Sequence, residues 1–76
     1  NNPAAGPLLD ALRAWRAATA REHNVPAYVV FHDSTLEAIA ATPPQYLDDL
    51  RAISGIGAKK LERYGDELLK LTRNTC

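Results

Sequence analysis

Two glycines separated by one aliphatic residue, with cations after them, form the segment of this chain best suited to binding chemistry. Gly55 and Gly57 flank Ile56 between two stretches of helical periodicity. The backbone amides of such a turn point outward at the start of the next helix, where they and the helix dipole can hold a phosphate group. Counter-charge follows one turn later, from Lys59, Lys60 and Arg63. The segment predicts a phosphate-binding turn, unless the glycines merely permit a close turn that packs Ile56 inward.

Candidates for catalysis or metal binding are weak. His23 and His32 have no serine, cysteine or metal-spaced partner beside them. The adjacent carboxylates Asp48 and Asp49 would point in different directions on a helix. Neither pattern matches a general acid–base pair or a metal site, and Cys76, the single cysteine, has no partner for a disulfide. The sequence therefore predicts no catalytic residue, no metal site and no cofactor.

The composition describes one small globular domain with segregated charge. The chain has 76 residues, of which 46% are hydrophobic and 24% charged, with a formal net charge of zero. Zero net charge argues against a strongly basic nucleic-acid binder. Residues 1–24 carry a balance of +1, residues 25–50 one of −4, and residues 51–76 one of +3. A basic and an acidic end of this kind favour an adaptor over a general DNA clamp.

Apolar periodicity predicts an all-α bundle of four main helices and one short helix that would position these residues. The first helix spans residues 8–23, and Pro26 opens a short helical turn that inserts Val and Phe into the core. The segment 28–31 has strand propensity, but no other segment could serve as its partner strand. The next two helices begin with capping residues, Ser34 with Glu37 and Thr42 with Pro43. The second of these helices is marked by Tyr46, Leu47, Leu50 and Ile53 and ends at Ser54–Gly55. The last helix spans 58–72.

The ends of the chain are expected to lie outside the domain. Residues 1–7 resemble the remnant of a flexible linker, residues 8–73 form the domain, and residues 74–76 form a tail. The longest apolar run, 27–31, is far shorter than the roughly 20 residues that cross a bilayer. We expect a cytoplasmic or nucleoid-associated monomer with no membrane partner.

Several linked motifs resemble the HRDC domain (helicase and RNase D, C-terminal) over residues 8–73. These are Leu12-Arg13 with Arg16, the segments 24–31 and 33–36, and the segments 50–57 and 60–65. The glycine turn is also similar to the helix-hairpin-helix of non-sequence-specific DNA-binding proteins. The resemblance implies a five-helix bundle that serves as a non-catalytic module of a RecQ-type ATP-dependent DNA helicase in DNA repair or recombination. An accessory domain of RNase D fits the segments 26–31 and 60–65 less well.

The resemblance also implies a DNA-binding surface. Family members that bind DNA use an aromatic residue near basic ones, and the matching positions here are Tyr28, Arg13, Arg16, Lys59, Lys60 and Arg63 beside Gly55 and Gly57. A base stacked on Tyr28 would contribute roughly 1–3 kcal/mol, although a half-buried core tyrosine is the competing interpretation. Ala14 and Ala17 stand where strong binders often carry lysine, so we expect weak affinity for single-stranded or partly duplex DNA.

A regulatory interaction module is the alternative. The acidic middle of the chain would then dock on a basic surface of the helicase core, through Asp33, Glu37, Asp48 and Asp49. Tethering raises the effective concentration of such a contact to the millimolar range, so a weak contact suffices.

Overall fold

Five helices, joined by short loops, account for most of the chain. The structure, a computed structural model, describes residues 5–75. Its helices are α1 (Ala5–His23), α2 (Ala27–Val30), α3 (Asp33–Ala41), α4 (Leu47–Arg51) and α5 (Ala58–Thr75), and this part of the chain contains no strand. Helix α1 packs against α2, α3 and α5, and α4 packs against α5. The predicted all-α bundle with one short helix is confirmed.

The core forms where the apolar stripes of α1, α3 and α5 meet. Leu12, Leu36 and Leu68 have no exposed surface. Beside them lies an aromatic group in which the ring of Trp15 is 5.4 Å from that of Tyr64 and 6.0 Å from that of Phe31. The edge-to-face geometry of Trp15 and Tyr64 is the favourable one for aromatic rings. Strand-like propensity at Phe31 therefore serves burial in this core rather than a sheet.

The connection from α1 to α2 places Phe31 in the core. Asn24 ends α1 with a φ of 60°, a left-handed conformation that asparagine tolerates. Pro26 then caps α2 in an extended conformation, and the chain is extended again at Phe31. Val30 and Phe31 are 2% and 1% exposed. The short helix opened by proline, with its apolar end in the core, is confirmed.

Helices α1 and α5 are longer than the periodicity predicts. Helix α1 begins at Ala5, so residues 5–7 are helical, although the sequence suggested a linker there. Proline is tolerated at position 7 because the first N–H groups of a helix have no intrahelical partner. Helix α5 continues to Thr75, past the predicted end at residue 72. Residues 1–4 of the expected linker and Cys76 of the expected tail lie outside the described residues.

The capping box predicted at Ser34 is wrong. Helix α3 begins one residue earlier, at Asp33, and His32 is its N-cap. The carbonyl oxygen of His32 accepts hydrogen bonds from the N–H groups of Thr35 and Leu36, which places Ser34 inside the first turn. Asp33 at the first position carries a negative charge, which the helix dipole favours.

The helix predicted to begin at Pro43, after Thr42, begins four residues later at Leu47. Thr42 instead ends α3, donating its N–H to the carbonyl oxygen of Ala38. Pro43 and Pro44 disfavour helical geometry in the residues before them, which keeps this segment non-helical. Helix α4 therefore covers only Leu47–Arg51.

The apolar stripe expected on α4 is only partly buried. Leu50 is fully buried, but Tyr46 is 67% exposed and Leu47 is 40% exposed, contrary to the prediction. Leu47 lies against Gly65 of α5, where an added Cβ atom would be 2.8 Å from its Cδ2 atom. The absence of a side chain at Gly65 thus allows Leu47 to approach α5 closely.

Within residues 5–75, no helix is both long and apolar enough to span a bilayer.

Candidate nucleic-acid interface

The glycine turn between α4 and α5 is shaped by its contact with α3. Gly55 has a φ of 95°, a backbone angle that residues with a side chain rarely adopt. A Cβ atom added there would overlap Oγ1 of Thr35, which donates a hydrogen bond to the carbonyl oxygen of Ser54 at 3.3 Å. Gly55 is therefore required by both backbone geometry and packing.

The second half of the turn forms the N-terminus of α5. Ile56 is 7% exposed, so it packs inward, as the alternative interpretation of the turn expected. The N–H of Leu61 donates to the carbonyl oxygen of Gly57 at 2.9 Å. The amides of residues 58–60 come before this bond, at the start of the helix, where N–H groups lack intrahelical acceptors. A Cβ atom added at Gly57 would meet nothing within 4 Å. The same turn thus packs Ile56 inward and forms the N-terminus of α5.

Lys60 holds the C-terminal end of α2. Its Nζ atom donates to the carbonyl oxygens of Val29 and Val30 at 2.7 and 2.6 Å, and lies 5.2 Å from the centre of the Phe31 ring. Helices end in carbonyl groups without intrahelical partners, and a cation there is favourable. This lysine fastens α2 to α5, which brings Val29 and Val30 next to the start of α5.

Tyr28 is exposed on this side of the molecule. Its exposed fraction is 61%, which contradicts a half-buried core tyrosine, and its ring is stacked on His32 at 6.1 Å. Val29, the next residue, is 45% exposed. An exposed aromatic face of this kind can accept a nucleic-acid base.

The remaining cations at the start of α5 line a groove together with Val29 of α2. Lys59 and Arg63 are exposed, and the guanidinium of Arg63 lies 5.5 Å from the Tyr64 ring and 3.4 Å from Nδ1 of His23. A groove of about 280 Å³ runs between this edge of α5 and the loop before α2. We call the exposed set Tyr28, Val29, Lys59 and Arg63 the basic–aromatic surface.

Arg16, another predicted DNA contact, is largely buried in the bundle. Its Nη1 atom donates to the carbonyl oxygen of Phe31 at 2.9 Å, and its Nη2 atom lies 2.6 Å from Oδ1 of Asp33. Only 13% of its side chain is exposed. The hydrogen bond and positive charge of Arg16 lower the pKa of Asp33. Arg16 thus ties α1 to the start of α3, and it pairs with a residue predicted for protein docking.

The other predicted docking carboxylates also have local partners. Glu37 lies 3.9 Å from Arg13, and Asp48 lies 3.7 Å from Arg51, all with exposed side chains. Asp49 accepts hydrogen bonds from the backbone N–H groups that precede α4, at residues 45 and 46. It caps α4, a role that the sequence analysis missed. A carboxylate at the third helical position that reaches back to the N-cap is the signal that could have revealed it.

A family model, described as the HRDC domain, matches residues 6–72. The chain belongs to the HRDC family. It is 58% identical over 66 residues to the ATP-dependent DNA helicase UvrD2 of Mycobacterium tuberculosis, covering 87% of this chain and 9% of that protein. It is 38% identical over 64 residues to the ATP-dependent DNA helicase RecQ of Pasteurella multocida, covering 84% of this chain and 10% of that protein. The chain thus spans about a tenth of the length of these relatives.

A solved HRDC domain has the same fold. The structure described as D. radiodurans RecQ HRDC domain 3 superposes with a TM-score of 0.88 at 37% identity, and the match covers 92% of each chain. The family and five-helix fold that the motifs indicated are confirmed.

In this HRDC domain, the residues predicted to bind DNA have different surroundings. Lys59 and Arg63 line one groove with Val29, and the exposed Tyr28, next to Val29 in sequence, completes the basic–aromatic surface. Arg16 and Lys60 are bonded to backbone carbonyl groups inside the fold. Arg13 lies on α1 next to Glu37 and the glycines shape the turn. Among the described residues, no group of three or more His, Cys, Asp or Glu side chains is placed to hold a metal ion.

Proposed function

We propose that this HRDC domain is an accessory module of an ATP-dependent DNA helicase, and that it contacts single-stranded or partly duplex DNA weakly through the basic–aromatic surface. The observation that supports this proposal most is the exposure of Tyr28 next to Val29, which lines a groove with Lys59 and Arg63 near the start of α5. A ring that stacks on bases next to cations that neutralise phosphates is the usual combination for single strands. The contact would tune which DNA structures the parent enzyme engages in repair or recombination.

The identities to known proteins favour a parent similar to UvrD2. The identity to UvrD2 is 58%, against 38% for the RecQ protein, over stretches of similar length. Both relatives are named as ATP-dependent DNA helicases. In this proposal the catalytic machinery for ATP hydrolysis lies elsewhere in the parent, and this domain contributes DNA contact rather than catalysis.

Weak affinity follows from how few cations the surface offers. Lys60 is used to hold α2, and Arg16 is used to join α1 to α3. Lys59 and Arg63 remain exposed there, so about two phosphate contacts are available. For a single strand, each contact contributes about −0.7 to the slope of log K against log salt, which gives a slope of about −1.4.

An NMR titration of the ¹⁵N-labelled domain with a short single-stranded DNA at low salt tests the proposal. We expect shifts at the amides of Tyr28 and residues 58–63, and a slope near −1.4 when the titration is repeated at increasing salt. Lys59→Glu should abolish most of the shifts. Lys70→Glu makes the same charge change at an exposed position further along α5 and should leave them unchanged. Equal effects of the two variants, or a complete lack of shifts at millimolar DNA, would reject the proposal.

Docking on the helicase core through the acidic residues stays a second proposal. Asp48 has 85% of its side chain exposed, although it lies 3.7 Å from Arg51. The local partners of Asp33, Glu37 and Asp49 reduce the charge that a basic surface could meet. Asp48→Lys in the parent helicase should change its DNA binding if this docking occurs, and unchanged binding would reject it.

A further inference from the structure

A second exposed apolar site lies on the other side of the glycine turn. Four large hydrophobic residues are prominently exposed in the described part of the chain, and they form two adjacent pairs, Tyr28 with Val29 and Tyr46 with Leu47. The first pair belongs to the basic–aromatic surface. The second pair precedes and begins α4, and the proposed DNA contact makes no use of it.

Leu47 borders a groove of about 410 Å³ between α4 and the first turns of α5. Ile56 and Leu61 form its apolar floor, and neither is strongly exposed. The missing side chain at Gly65 lets Leu47 lie against α5. The groove shares no lining residue with the groove beside Lys59 and Arg63.

The charge at the rim of this groove is negative. Glu62 and Asp66 line it from exposed positions one turn apart on α5. Arg51 also lines it, but its guanidinium lies 3.7 Å from Asp48, so these two charges compensate each other. Within residues 5–75, no ion pair involves Glu62 or Asp66. Two carboxylates without a counter-ion therefore flank an exposed leucine.

We infer that this groove, bounded by Leu47, Leu61, Glu62 and Asp66, is a docking site for a basic protein segment. The segment would place one large aliphatic side chain between Leu47 and Leu61. A lysine or arginine next to that side chain would lie against Glu62 and Asp66. Nucleic acid is disfavoured here because its phosphates would face the same carboxylates. The two edges of α5 thus select different partners, DNA at the basic edge and a cationic peptide at the acidic edge.

Three synthetic peptides, added separately to the ¹⁵N-labelled domain at low salt, test the inference. The first carries a leucine between lysines, the second replaces the leucine by serine, and the third replaces the lysines by glutamates. We expect saturable NMR shifts at Leu47, Leu61 and Glu62 with the first peptide alone. Equal binding of the serine or glutamate peptide, or no shifts at millimolar peptide, would overturn the inference.

Charge-reversal variants separate this site from the rest of α5. Glu62→Lys combined with Asp66→Lys should weaken the first peptide by at least about fivefold, because two exposed ion pairs are lost. Glu67→Lys changes the charge of the same helix outside this groove and should leave the affinity unchanged. Equal weakening by the control would show attraction to overall charge and overturn the inference.

Two further measurements distinguish a basic peptide from the other possible occupants of this groove. The double charge reversal should leave DNA-induced shifts at the basic–aromatic surface intact, so failure of peptide docking and failure of the DNA proposal are distinguishable. Sedimentation of the domain alone should show a monomer. A dimer that is lost in Leu47→Ala would assign the groove to a second copy and overturn the inference.

Discussion

Replacement of Lys60 by methionine separates a structural lysine from a DNA-contacting one. The Lys60 ammonium donates to two carbonyl oxygens at the end of α2, at 2.7 and 2.6 Å, and its charge lies 5.2 Å from the Phe31 ring centre. A hydrogen bond from a charged group contributes about 1.5–3 kcal/mol, and a cation over an aromatic ring about 0.5–1 kcal/mol at an exposed site. Because one of the two hydrogen bonds is exposed and water can replace it, we expect a loss of about 2 kcal/mol. Methionine keeps most of the apolar contact of the lysine stem.

Chemical and thermal unfolding of Lys60→Met and Lys59→Met measure this difference. A loss of about 2 kcal/mol lowers the melting temperature of a domain of this size by roughly 8–16 °C. Lys59 is exposed, so Lys59→Met should stay within about 0.5 kcal/mol of the wild type while losing DNA-induced NMR shifts. If both variants unfold at the same denaturant concentration, the proposed fastening of α2 to α5 by Lys60 is wrong.

Other substitutions test the turn, the approach of α4 and the buried arginine. Gly55→Ala should destabilise the domain by more than about 1 kcal/mol, because it adds a Cβ atom at positive φ against the side chain of Thr35 in α3. Gly57→Ala should be nearly neutral. Equal losses of stability in denaturant unfolding would contradict the packing described for the turn. Gly65→Ala should cost less than Gly55→Ala, since its Cβ atom meets the end of a flexible leucine side chain and alanine favours the helix by about 1 kcal/mol; the reverse order of unfolding midpoints would count against this. Arg16 lowers the pKa of Asp33, so the stabilising effect of the ionised Asp33 is present at neutral pH and is lost as the pH falls below about 4. Asp33→Asn should therefore be less stable than the wild type at pH 7, with a difference that shrinks below pH 4, and a constant difference across this range would refute the role of the ion pair.

The helices that periodicity identified are those with continuous apolar stripes. Leu8, Leu12 and Thr19 lie on one stripe of α1 and are buried, and Trp15 of the same stripe is partly buried. Errors occurred where local capping signals competed with tertiary contacts. Ser34 has the sequence context of an N-cap, but the extended chain at Phe31 and the pairing of Asp33 with Arg16 start the helix earlier. Such contacts join residues distant in sequence, so no local pattern contains them.

The candidate site was predictable by residue type but not by availability. An arginine on an amphipathic helix and a lysine after a glycine turn are both expected to be exposed from the sequence, yet Arg16 and Lys60 are bonded to carbonyl groups at the end of α2. Those carbonyl groups lack partners because α2 is only four residues long and then becomes extended. The carbonyl groups at the end of this short helix thus accept hydrogen bonds from cations that a longer helix would leave exposed.

The charge pattern of the chain therefore predicts partners only after internal pairing is considered. The acidic segment 25–50 was predicted to form one end of the molecule and the basic segments the other, but Arg16 and Asp33 are in direct contact, and Arg13 lies near Glu37. These pairings consume much of the charge that was predicted to attract DNA through α1 or protein through α3. The exposed charge that remains beside apolar side chains lies on α5, with cations towards the exposed Val29 of α2 and carboxylates towards the exposed Leu47 of α4. A domain of zero net charge can thus present two surfaces of opposite sign along one helix, and this arrangement suits a module that joins DNA to a protein partner.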